Sequence, residues 1–191
     1  MVSSRTLAAP SHTIGSLLAA ASLTCVLACV PPPTADDAAS SNQASPREPS
    51  GPKRKATVPA EGWNDDIAWR GFEEGLSEAK QDQRPVMLVV HTAWCPKCRA
   101  LKQVFNEDDQ VERLSEQFVM VHVDQDQTPA ATLYAPDGQY IPRVLFLDPN
   151  GKLDPELSNR GRPQRFRYFY TPQEDLVSTM REALDRHGNQ S

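Results

Sequence analysis

No apolar run in this 191-residue chain reaches the roughly 20 residues that a helical bilayer span requires. Basic charge is short as well: 20 lysines and arginines stand against 25 acids, a net charge of −5, so the broad positive surface of a nucleic-acid binder is missing. The one basic cluster beside aromatics, Arg160, Arg162, Arg165 and Arg167 before Tyr168-Phe169-Tyr170, reads as a loop running into an aromatic strand. Cysteine is scarce, four in all, and only Cys95 and Cys98 stand at Cys-x-x-Cys spacing. A structural zinc normally takes four protein ligands, so the missing second pair argues against a zinc module completed by His91 or His122, and no metal is expected. Asp124-x-Asp126-x-Thr128 begins like a calcium loop, but Pro129 replaces the required glycine and Ala135 the closing glutamate, which leaves a solvated loop.

The N-terminus does carry a shorter apolar stretch, Ile14 to Ala28, with the length of a signal-peptide core. Val26-Leu27-Ala28-Cys29 resembles a bacterial lipobox, which would make residues 1–28 a lipoprotein signal peptide and Cys29 the lipidated first residue of the mature chain. An ordinary secretory signal cut upstream, for example after Ala21, is the alternative. Residues 29–60 hold seven prolines among Ala, Ser, Asp and Lys with almost nothing apolar, the composition of a disordered tether. About 30 such residues would hold a domain roughly 30 Å from its anchor. The Lys53-Arg54-Lys55 cluster reads as solvated linker charge, with contact to anionic lipid as the lesser alternative. Together these features place the protein in a bacterial cell envelope, lipid-anchored on the periplasm-facing outer membrane.

Residues 61–187 make one domain, large enough to bury a core without staples, followed by a tail at 188–191. The patterning predicts a helix over Trp69–Gln81, a buried strand over Val86–Val90 and a helix over Cys98–Phe105. A short helix at Val111–Gln117 and strands at Phe118–Val123 and Val144–Leu147 follow. Asn150-Gly151 predicts a hairpin into Lys152-Leu153, and Thr171-Pro172-Gln173-Glu174 reads as a capping box opening a last helix that runs to about Arg186. That order is a small α/β layer fold.

Cys95 and Cys98 fall where the apolar run ending Val89-Val90-His91 gives way to a helical pattern. A thiol at a helix N-terminus lies among unpaired N–H groups and the positive end of the helix dipole, which favours the thiolate. Pro96 suits the first helical position because its missing N–H would be unpaired there anyway. Lys97 adds a nearby cation that would lower the thiolate pKa further, unless it points away into solvent. The spacing alone also serves zinc; the preceding Trp94 and the strand-to-helix junction favour redox chemistry.

Trp94-Cys95-x-x-Cys98 after a buried strand, with Ile141-Pro142 before another strand, resembles the thioredoxin fold, an α/β fold whose central mixed sheet is flanked by helices. Trp94 to Lys102, Phe118 to Val121, Pro136 to Pro149 and Tyr168-Phe169-Tyr170 are similar to the single-domain endoplasmic-reticulum thioredoxin-like proteins of the anterior gradient group, over about residues 63–185. The resemblance implies a thiol-disulfide oxidoreductase, with Cys95 as nucleophile and Cys98 as resolving thiol. It implies a cis Pro142 that turns Tyr140 and Ile141 toward an extended substrate segment, and a Trp94 that covers the site. Its only cofactor would be the redox-active Cys95–Cys98 disulfide. Its partners would be cysteine-containing exported proteins, an unidentified redox partner and, through Cys29, the membrane, with no nucleic acid and a monomeric state. Val89 stands six residues before Cys95, where many thioredoxins keep a buried aspartate, so the proton acceptor for Cys98 is open. His91 is a candidate, and a strand histidine with a structural hydrogen bond is the alternative. The Pro-Lys pair between the cysteines leans toward oxidase or isomerase; a reductase and a chaperone-like module with little turnover are the competing readings.

Overall fold

A computed structural model describes residues 53–188. The expected signal peptide, the Cys29 lipidation site, most of the tether and residues 189–191 lie outside the described residues. Four strands, β1 (Trp69–Arg70), β2 (Val86–His91), β3 (Val119–Asp124) and β4 (Arg143–Leu147), form one sheet in the order β1-β3-β2-β4. β1 and β2 run parallel to β3, and β4 runs antiparallel to β2. Among the described residues no helix is long and apolar enough to cross a membrane.

β2 has every residue buried, and its valines suit a strand covered on both faces. Successive side chains point to opposite faces, so Met87 and Val89 meet one layer while Val86, Leu88 and Val90 meet the other. The first layer includes α2 (Pro96–Glu107), α3 (Asp109–Ser115) and α4 (Leu176–His187), through Leu101, Phe105, Val111, Leu114, Met180 and Ala183. The second includes α1 (Phe72–Asp82), through Phe72 and Ala79. Full burial of each large apolar side chain contributes about 1.5–3 kcal/mol.

Four local expectations are revised. Trp69 and Arg70 pair with Met120 and Val121 as a short strand, and extended Gly71 delays α1 to Phe72. Half of the Thr171 box forms, with Thr171 N–H donating to Glu174 Oε2 at 2.5 Å, while its hydroxyl donates to the same carboxylate oxygen at 2.6 Å. It makes an isolated turn, however, and Asp175 caps α4 by accepting from Ser178 N–H at 2.9 Å. Tyr168–Tyr170 form no strand; Val144 N–H reaches Tyr168 O at 2.8 Å and the pairing goes no further. Residues 53–60, read as tether, are tied to the domain. Lys53 pairs with Glu112 at 3.2 Å, Thr57 N–H donates to Trp69 O at 2.9 Å, and Ala60 is buried, because β1 offers this segment backbone partners that composition does not reveal.

Candidate active site

The parallel strands β2 and β3 end side by side, His91 opposite Asp124, and the chain turns from β2 into α2 within four residues. Cys95 is the N-cap of α2 and Pro96 its first residue, so the helix begins two residues before the predicted Cys98. The Cys98 N–H, an orphan donor of the first turn, is satisfied by Cys95 Sγ at 3.1 Å. Cys95 and Cys98 are disulfide-bonded with their Cα atoms 5.2 Å apart, inside the normal range for a disulfide. Cys95 is only 3 % exposed and Cys98 1 %, so both sulfurs of the closed pair are shielded. Lys97 and Pro96 lie exposed on the first turn.

The Ile141-Pro142 peptide bond is cis. The register places it: Arg143 pairs with Val90, so buried Pro142 comes level with His91 at the edge of the cysteine turn. Ile141 and Tyr140 are partly exposed there. Tyr140 donates to Asp137 at 2.7 Å and accepts from Tyr168 N–H at 3.0 Å; burial and then the Asp137 bond raise its phenol above the ordinary value. Trp94 is 65 % exposed and belongs to no core cluster.

Two features of the site escaped the sequence. The Asp124–Thr128 loop is docked onto the cysteine turn and is not simply solvated: Asp124 Oδ2 accepts from Ala93 N–H at 3.0 Å, and Asp126 Oδ2 accepts from the Trp94 indole at 2.8 Å. Asp124 Oδ1 also accepts from Asp126 N–H at 2.9 Å, an Asx turn. The second feature is Arg143, fully buried directly after the cis proline. Its guanidinium donates to Tyr140 O at 2.5 Å, Tyr134 O at 3.1 Å and Gln125 Oε1 at 2.7 Å. Gln125 N–H in turn donates to His91 O at 2.8 Å. The loop that holds Trp94 and the loop that holds Pro142 are thus joined through one side chain.

His91, 1 % exposed, is bonded to a second histidine: His91 Nε2 and His122 Nδ1 are 3.2 Å apart, and His122 Nε2 donates to Pro59 O at 2.9 Å. Since Pro59 offers only an acceptor, His122 carries its proton on Nε2, and His91 must donate from Nε2 to the bare His122 Nδ1. Burial, then the neighbouring His122 and Lys102, lower the His91 pKa to about 4, so the ring is neutral at pH 7. The structural hydrogen bond weighed for this residue is therefore present.

The thioredoxin-like family model matches residues 68–149. Anterior gradient protein 3 of Xenopus tropicalis is 39% identical over 127 residues, spanning 64% of this chain and 75% of that protein. The human anterior gradient protein 2 homolog is 35% identical over 138 residues, 71% of this chain and 76% of its own length. The chain belongs to the thioredoxin-like family. Among solved structures, the DsbH oxidoreductase aligns at 23% identity over 71% of this chain and 95% of its own, with a TM-score of 0.47. A thioredoxin-like domain carrying a closed Cys-x-x-Cys pair at a helix N-terminus is a redox protein of the thiol-disulfide oxidoreductase kind.

Proposed function

We propose that this thioredoxin-like protein is an exported, membrane-tethered oxidoreductase that acts on the cysteines of other envelope proteins and leans toward disulfide formation or isomerisation. The observation that carries the reading is the Cys95–Cys98 disulfide at the N-terminus of α2, with the cis Ile141-Pro142 bond brought to the same end of the sheet by the Val90–Arg143 register. In the oxidising direction a substrate thiolate attacks Cys95 Sγ; the Cys95–Cys98 bond breaks, Cys98 leaves as thiolate and a mixed disulfide forms. A second substrate thiolate then attacks the substrate sulfur of that bond, which releases oxidised substrate and leaves the pair reduced. The helix N-terminus favours thiolate over thiol, and a stabilised leaving thiolate makes the disulfide more oxidising. The tether rests on Cys29 and the Pro-rich segment after it.

The test is to replace Cys98 by serine, express the full chain in an exporting bacterium and collect disulfide-linked adducts under non-reducing conditions. Adducts through Cys95 are expected from Cys98→Ser and should vanish from a Cys95→Ser, Cys98→Ser double variant; equal yields from both would refute the reading. A reduction potential near −270 mV, about that of a thioredoxin, would overturn the oxidising preference. A mature mass without diacylglycerol on Cys29 would overturn the lipid anchor.

A further inference from the structure

We infer that Glu61, His91 and His122 form a binding site for a divalent first-row transition ion of the zinc type, separate from the cysteine pair. The three side chains come from the segment before Trp63, the end of β2 and the middle of β3, and their ligating atoms lie within 4.8 Å of one another. Imidazole and carboxylate are ligands that zinc accepts together.

The two histidines have the spacing of neighbouring ligands. Two nitrogens each about 2.0–2.1 Å from one zinc in tetrahedral geometry stand roughly 3.3 Å apart; His91 Nε2 and His122 Nδ1 are 3.2 Å apart. Metal-bound histidines characteristically donate the other ring N–H to a carbonyl or carboxylate, which fixes the tautomer. His122 does this already, through Nε2 to Pro59 O, and so keeps Nδ1 bare.

His91 can supply the second nitrogen. As a donor to His122 it leaves its own Nδ1 without a hydrogen-bond partner among the described residues, free to take a proton. An ion on Nε2 removes the proton between the rings. That proton leaves, Nδ1 takes one up, and His91 stays neutral with its bare nitrogen on the metal. No net proton is released, and no bond other than the coordination bonds is made.

Glu61 is the exposed member and the point of entry, and its carboxylate balances part of the ionic charge. Its backbone holds φ 51° and Gly62 holds φ 84°, which turns the chain between the Pro59 carbonyl and Trp63. A glutamate does not adopt that conformation without cost. Lys102 opposes a cation: its ammonium donates to Glu61 O and lies 5.2 Å over the Trp63 ring. A site with only two histidines would not overcome it, so the carboxylate is required.

The experiment uses the untagged full chain, metal-free, with the Cys95–Cys98 disulfide closed so that no thiol of the pair competes. Cobalt(II) is titrated and followed by visible absorption, then displaced with zinc; thermal unfolding is recorded with and without zinc. One equivalent should bind with tetrahedral d–d bands and no thiolate charge-transfer band, and zinc should raise the Tm. Glu61→Gln, at an exposed position, should weaken binding roughly tenfold or more and abolish the Tm shift, as should His122→Asn, whose amide oxygen can still accept from His91 in place of Nδ1. No binding by the oxidised protein, or binding unchanged in Glu61→Gln, overturns the inference. Binding only after reduction, with a thiolate band, assigns the ion to Cys95 and Cys98 and overturns it equally.

Discussion

At Arg143 a guanidinium without solvent exposure holds two carbonyls and one amide oxygen, and among the described residues no carboxylate accepts from it. Its burial is tolerated because these acceptors satisfy its donors. Replacing Arg143 by methionine keeps the volume and strands all three acceptors, so a loss of about 3–5 kcal/mol is expected in urea unfolding. Arg143→Lys should recover little of it, because an ammonium cannot span three acceptors in one plane. A fall below about 1 kcal/mol for Arg143→Met would show that the clamp is dispensable. Residue-scale legibility divides along this line. Cys95, Cys98 and Pro142 could be read because their chemistry is written in adjacent letters and in one X-Pro bond. Asp126, which sits 32 positions from Trp94, and Gln125, 18 from Arg143, could not, since only the sheet register brings them together. The His91–His122 bond, between residues 31 positions apart, is hidden for the same reason.

At the scale of elements, α1 approaches β3 more closely than side chains would normally allow, and Gly75 makes that possible. A Cβ there would press into Val121 Cγ2 and stand 3.2 Å from Arg70 Cβ. Gly75→Ala should therefore destabilise by about 1–2 kcal/mol in chemical unfolding, because overpacking outweighs the roughly 1 kcal/mol gain in helix propensity. A stabilised variant would mean that α1 slides freely on the sheet. Strands β2, β3 and β4 and helices α2 to α4 were legible because each carries an uninterrupted apolar period; β2 is six consecutive buried residues. β1 was not, since two residues set no period and Trp69 and Phe72 also fit a helical stripe. The start of α4 was misplaced because two capping signals overlap, Thr171 and then Asp175, and local sequence does not rank them.

For the whole molecule, an acid-sensitive tie runs from α4 to the loop after β4. Burial alone would raise the Asp154 pKa, but bonds from Arg186 at 2.8 Å, Glu156 N–H at 3.0 Å and His187 at 2.7 Å outweigh it and hold the carboxyl below its ordinary value. A carboxyl lowered on folding contributes stability that is complete above its unfolded pKa, about 3.9, and is lost as pH falls through the lower folded value. Asp154→Asn should thus cost about 1–3 kcal/mol at pH 7 and much less at pH 2.5, measured as urea midpoints. A gap that stays constant between the two pH values would refute the linkage. The same residue guards something else. Asp154 N–H caps Phe146 O at 3.1 Å, and Tyr168 O takes Val144 N–H at 2.8 Å, so the outer rim of β4 is already claimed by its own chain. An open strand rim recruits a second molecule and begins a growing ribbon. Here two loop residues deny it that foothold.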